Sequence, residues 1–127
     1  GGCRIVDTRQ SGQKIAPMTE TAFFAGKSGQ NLDSQGGSSD CNLPPNITAI
    51  HVGFSIIANG SSGYFRSWPY GRTEPNASVL SWGENNATNA LTLAVCTVSP
   101  CDYDITVKLY SSNGIDLVID VFGYYQR

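Results

Sequence analysis

Apolar residues in this chain recur at every second position, and that period decides the class of fold. In the segment AIHVGFSI, residues 49–56, Ile50, Val52, Phe54 and Ile56 fall on one face and His51, Gly53 and Ser55 on the other. Side chains alternate across an extended strand, whereas a helix needs apolar residues every three or four positions to build a buried stripe. Ile105, Val107 and Leu109 alternate with Asp104, Thr106 and Lys108 in the same way. Ile115, Leu117, Ile119 and Val121 form a third apolar face, opposite Asp116 and Asp120. Shorter runs at 4–8, 21–25, 64–68, 79–82 and 89–96 bring the predicted strands to about eight. Gly36-Gly37-Ser38-Ser39, Pro44-Pro45, Asn59-Gly60, Pro69-Tyr70-Gly71 and Asn113-Gly114 punctuate them, and Asn113-Gly114 reads as a tight hairpin. A chain of 127 residues has the size of one domain and shows no internal repeat or linker. Residues 1–127 are therefore read as a single all-β domain, a two-layer antiparallel sandwich of jelly-roll type, with a long polar loop over 26–40.

Cys3, Cys41, Cys96 and Cys101 make an even set with no C-x-x-C, and one histidine does not complete a Cys/His zinc site. Disulfides are the better account. Cys96 and Cys101 bracket a Pro-containing turn between two strand-like runs, so their sulfurs are expected to meet across a hairpin mouth, which leaves Cys3 for Cys41. Paired cysteines imply an oxidising, extracellular setting. The sequons at Asn46, Asn59, Asn76 and Asn86 point the same way. Four such matches exceed the roughly 1.6 that the chain's Asn, Ser and Thr content yields by chance, although these residues also favour turns.

With 8 Lys and Arg against 10 Asp and Glu the net charge is -2, so no basic field exists to neutralise nucleic-acid phosphates. No apolar run reaches the length of a membrane span, and no hydrophobic signal segment opens the sequence. An exported protein of this sequence would be the mature form.

Cys3-Arg4-Ile5-Val6-Asp7-Thr8-Arg9 at one end and Asp120-Val121-Phe122-Gly123-Tyr124-Tyr125 at the other resemble the bracketing signatures of a β-domain family in many secreted bacterial proteins, roughly C-R-x-x-D-T-R and D-V-x-G-Y-F. Between them, 64–71 followed by Pro75-Asn76-Ala77-Ser78 resembles the family's central segment, and Asn89-Ala90 its asparagine-alanine step. The chain departs by carrying Tyr125 where Phe is usual. The resemblance implies an extracellular module and brings no activity with it. A module standing alone is expected to act through its own surface.

The chemical inventory is thin. His51 sits mid-strand, where a packed or polar-face imidazole is favoured over a general base. Asp102 and Asp104 would share a strand face with Lys108 as an exposed charge cluster rather than a calcium site. Asp7 and Arg9 fall on one side of the first strand and Asp120 lies in the last. Pairing of those strands predicts a structural clamp, an arginine between two carboxylates. Trp68, Tyr70 and Trp82, near turns, are candidates for stacking on sugar rings, against the alternative that they are core. No cofactor, metal or catalytic set is expected. The predicted function is a non-enzymatic extracellular structural or adhesive subunit, self-assembling into a glycosylated surface filament or layer, or contacting other cell-surface proteins. The alternative is a carbohydrate-binding, lectin-like module.

Overall fold

The computed structural model describes residues 2–38 and 40–127; Gly1 and Ser39, which belong to the opening segment and to the Gly/Ser punctuation above, lie outside the described residues. Eight strands form, β1 (Cys3–Asp7), β2 (Glu20–Phe23), β3 (Ile47–Ile57), β4 (Gly63–Pro69), β5 (Leu80–Trp82), β6 (Ala87–Ala94), β7 (Ile105–Ser111) and β8 (Asp116–Gln126). They pair antiparallel in two four-stranded sheets of order β1-β8-β3-β6 and β2-β7-β4-β5. This order is that of a jelly roll, in which successive strands alternate between layers; only β4 and β5 are neighbours both in sequence and in space.

That alternation overturns two local expectations. Asn113-Gly114 does not close a hairpin, because β7 belongs to the second sheet and β8 to the first. The Cys96–Cys101 turn is likewise a crossover from β6 to β7 and not a hairpin mouth. The reason is long-range. β8 zips onto β3 from Ile47↔Gln126 to Ile57↔Asp116, and onto β1 on its other side, which outweighs the preference of one dipeptide.

The alternating residues meet between the sheets as the period requires. Ile50, Val52, Phe54 and Ile56 of β3 and Leu117, Ile119 and Val121 of β8 face Phe65 of β4 and Ile105, Val107 and Leu109 of β7. Phe54 and Phe65 touch edge-to-face across the layers at 5.0 Å. Burying each such side chain stabilises the fold by about 1.5–3 kcal/mol.

Both disulfides form, Cys3–Cys41 and Cys96–Cys101, each with Cα atoms 5.8 Å apart. The first ties the 26–40 loop to β1. That loop is polar in composition but anchored from within. Leu32 is fully buried, and the buried Gln35 amide donates to Ile5 O and Phe24 O while accepting from Phe24 N–H. Asp104 holds its other end. It is buried, takes hydrogen bonds from Ala25 N–H and Gln30 Nε2, and lies 2.9 Å from Lys27 Nζ. The expected exposed cluster of Asp102, Asp104 and Lys108 is therefore not made: Asp104 precedes β7 and turns inward to hold the loop.

Candidate functional site

The residues singled out from the sequence fall in three places. Trp82 is 8% exposed, packs near Phe65 and donates from Nε1 to Ser61 O, so it is core. Trp68 is 3% exposed although it lies on the outer face of the second sheet, since it alternates with inward-facing Phe65 and Ser67. It lines the same groove, of about 720 Å³, as Cys96, Val98 and Pro100 of the disulfide loop and Arg72. Tyr70 is half-buried against Tyr103, ring centroids 5.5 Å apart. Trp68 and Tyr70 thus line one groove, Trp82 lies apart from them in the core, and both tryptophan rings are almost fully covered.

The arginine clamp forms around a different arginine. The chain leaves β1 at Asp7, whose carboxylate accepts from Arg9 N–H and caps a one-turn helix, α1 (Thr8–Ser11), so the strand expected to run through Thr8 ends earlier. Arg9 therefore rides on α1 and grips only Asp7, with Nε and Nη2 each at 3.0 Å from a carboxylate oxygen. Arg4 is the residue that spans two carboxylates. Its Nε and Nη2 donate to Asp120 at 3.0 and 3.3 Å, and its Nη1 to Asp7 at 3.4 Å. Asp7 is 2% exposed, and the Arg9 side-chain hydrogen bonds hold its carboxyl below the ordinary carboxylate value.

Among the sequons, Asn59 sits exposed at a turn tip in the left-handed region (φ 51°), and Asn76 and Asn86 are exposed. Asn76 Oδ1 accepts from Arg66 Nη2 and Asn86 Oδ1 from Ala58 N–H. Asn46 is half-buried and donates from Nδ2 to Arg127 O at 2.7 Å.

Outward on the second sheet, Tyr64 and Tyr110 stack at 4.8 Å with the Arg66 guanidinium over both rings. Glu74 accepts from Tyr110 Oη and Arg66 Nη1, and the Tyr110 hydrogen bond is the main cause of its lowered pKa. Arg66 Nη1 and Nη2 are paired here while its buried Nε has no hydrogen-bond partner, and the cluster holds no nucleophile beside a base.

Assembly through an exposed sheet edge, or through a terminal segment added as an extra strand, is compatible with the sequence, which leaves open which edge is free. Four strands are edges: β1 and β6 of the first sheet, β2 and β5 of the second. A bare edge invites another strand, and proteins usually shield it. The 35–38 segment covers β1. Ser38 N–H donates to Arg4 O, Gln35 Nε2 to Ile5 O, and Gly36 bridges Val6. The approach is so close that a Cβ on Gly36, at φ +76°, would lie 2.0 Å from Asp7 O. β2 has four residues and begins at charged Glu20; β5 has three. β6 is eight residues long, ATNALTLA, without a charge, a proline or a bulge in its register with β3.

The phase of its ladder is fixed by Val95 N–H, which donates to Thr48 O. Residues 87, 89, 91 and 93 accordingly hydrogen-bond toward β3, and the backbone of Thr88, Ala90, Thr92 and Ala94 points away from the sheet. All four are exposed. One group is already occupied: Ala90 N–H donates to Asn89 Oδ1, while Asn89 Nδ2 reaches Val79 O at 2.7 Å across the mouth of the sandwich. This gives the Asn89-Ala90 step a physical role.

Beside β6 lies Phe122, 54% exposed at a bulge in β8. Its ring spans Gly2 and Gly53, and a Cβ on these would come within 2.8 and 2.9 Å of it. The ring, Ser55, Thr88 and Asp120 border a depression of about 420 Å³. A glycine amid the apolar alternation of β3 was the one sequence signal for this arrangement.

Fold and site together define a disulfide-closed jelly-roll β-sandwich with, among the described residues, one long edge strand that nothing covers. No family model, curated protein or solved structure matches the chain.

Proposed function

We propose that this chain is an extracellular structural or adhesive subunit that works by protein-protein contact, with β6 as its contact strand. The observation that supports the reading is the contrast between edges among the described residues: β1 is covered, β2 and β5 are short, and β6 alone is long, uncharged and uncovered. Main-chain pairing at such an edge is a general mode of association. Two disulfides suit an oxidising environment outside the cell, and the exposed sequons allow a glycosylated surface. The reading assigns no catalytic step. Electron microscopy of native surface material, wild type against a Thr88→Lys/Thr92→Lys variant, tests it. Wild type joined at least in pairs and a variant dispersed to single copies are expected; isolated monomers in both would refute the reading.

Carbohydrate binding is a second reading, favoured now by Phe122 and not by the tryptophans. Its flat, exposed ring with Asp120, Ser55 and Thr88 at hand has the apolar-plus-polar character of a saccharide subsite. A glycan array on wild type and Phe122→Ala tests it, and equal signals from both would reject the subsite.

A further inference from the structure

We infer that the partner of β6 is the β6 of a second copy, paired antiparallel about a two-fold axis through Leu91. The inference rests on the reading of β6 as a contact strand and goes on to name its occupant and register.

Three features of the strand select a copy of itself. The first is hydrogen-bond phase. Only Thr88, Ala90, Thr92 and Ala94 turn their backbone groups outward, so an intermolecular ladder must set these residues against one another. Among the two-fold registers that do so, the one centred on residue 91 pairs Thr88 with Ala94 and Ala90 with Thr92 of the other copy, and the reverse. All four outward residues of each copy are engaged, making eight main-chain hydrogen bonds by the two-per-pair rule. Centring on Ala90 or Thr92 leaves one outward residue of each strand beyond the matched set.

The second feature is side-chain fit. The outer face of β6 reads Thr-Ala-Thr-Ala. In the register centred on 91 every cross-strand pair on that face is a threonine beside an alanine. Shifting by one pair in either direction sets Thr against Thr and Ala against Ala, crowding one position and leaving its neighbour thin.

The third feature is what lies on the axis. Leu91 is half-buried, packed on the edge of the core, and would meet its own copy as a non-hydrogen-bonded pair, the closer of the two pair types. No charge on β6 opposes the approach. The joined sheet would run β1-β8-β3-β6 into β6-β3-β8-β1 of the other copy, with both free β6 edges consumed. Asn89 acts as a latch: its grip on Ala90 N–H must be exchanged for the carbonyl of Thr92 in the other copy.

The experiment uses the full chain, made without glycans, in three arms. Sedimentation equilibrium compares wild type with Thr92→Lys and with Ser81→Lys, an exposed position on the β5 edge. Thr92→Lys sets two lysines diagonally across the axis, and a loss of about 100-fold in dimer affinity is expected, with Ser81→Lys unchanged. Hydrogen exchange read residue by residue should show Thr88, Thr92 and Ala94 amides gaining protection as concentration rises. The single variants Ala90→Cys, Leu91→Cys and Thr92→Cys, oxidised mildly and mapped to exclude exchange with the native disulfides, should cross-link fastest at position 91. A dimer indifferent to Thr92→Lys, or cross-linking fastest at 90 or 92, overturns the pairing but leaves protein contact standing. A chain monomeric at all concentrations overturns the homotypic partner; the contact reading falls only if the native material is also monomeric.

Discussion

Removing the Cys3–Cys41 disulfide, by Cys3→Ala/Cys41→Ala, should cost nearly twice what removing Cys96–Cys101 costs. The first bridge joins residues separated by 38 positions and the second by 5. A cross-link stabilises chiefly by restricting the unfolded chain, and the loop-closure relation gives about 3.9 kcal/mol for the longer loop and about 2.1 kcal/mol for the shorter. Unfolding entropy for a chain of this length is about 0.27 kcal/mol/K, so the melting temperature should fall by about 14 °C and about 8 °C respectively. The longer bridge also has local partners. Gly26 stands against Cys41 so closely that a Cβ there would lie 2.7 Å from that of Cys41, so release of the bridge loosens the 26–41 loop as well. Thermal unfolding by circular dichroism and calorimetry of the two double variants measures both shifts. Equal losses, or a larger loss for Cys96→Ala/Cys101→Ala, would refute the loop-size argument.

Gly36→Ala should destabilise the protein by about 3 kcal/mol or more in urea titration, because it combines a left-handed backbone with a Cβ 2.0 Å from Asp7 O; a loss under about 1 kcal/mol would contradict that close approach. Asn89→Ala should pull in two directions, lowering stability by about 1 kcal/mol through loss of the Val79 bond while tightening self-association about threefold by releasing Ala90 N–H. Weaker association in sedimentation would count against the latch. Acid should destabilise the fold through Asp7 and Glu74. Both have folded pKa values below their ordinary ones, Asp7 through Arg9 and Glu74 through Tyr110, so their contribution is full above the ordinary carboxylate range and disappears as pH falls through the depressed values. The urea midpoint should accordingly be flat from about pH 5 to 7 and fall below about pH 4, and Asp7→Asn should make the fall shallower.

Strand interiors were legible because burial between two layers imposes period two, and the inner faces of β3, β7 and β8 lie where alternation put them. The cysteine pairing was also legible, although the turn logic behind Cys96–Cys101 was not what joins them: the two strands it links belong to opposite sheets. Local signals failed wherever sheet order decided the outcome. Asn113-Gly114 looked like a hairpin until β8 was seen between β1 and β3. Arg9 looked like the clamp because a straight strand would aim it at Asp120; Asp7 followed by Thr8 was an available capping signal, and the cap swings Arg9 aside while Arg4 takes the role. Trp68 alternates outward, yet its covering comes from a loop about thirty residues later in the chain, which no local pattern records. Which strand forms the open edge was hidden for the same reason, since composition shows β6 to be uncharged but not that it has one neighbour.

A body with a single unsealed rim has a valence of one. Two such bodies close on each other and stop, so the strand that begins an association also caps it. Growth into a fibre or sheet would require a second, chemically unlike patch, and the exposed ring of Phe122 is the ground from which one would be built.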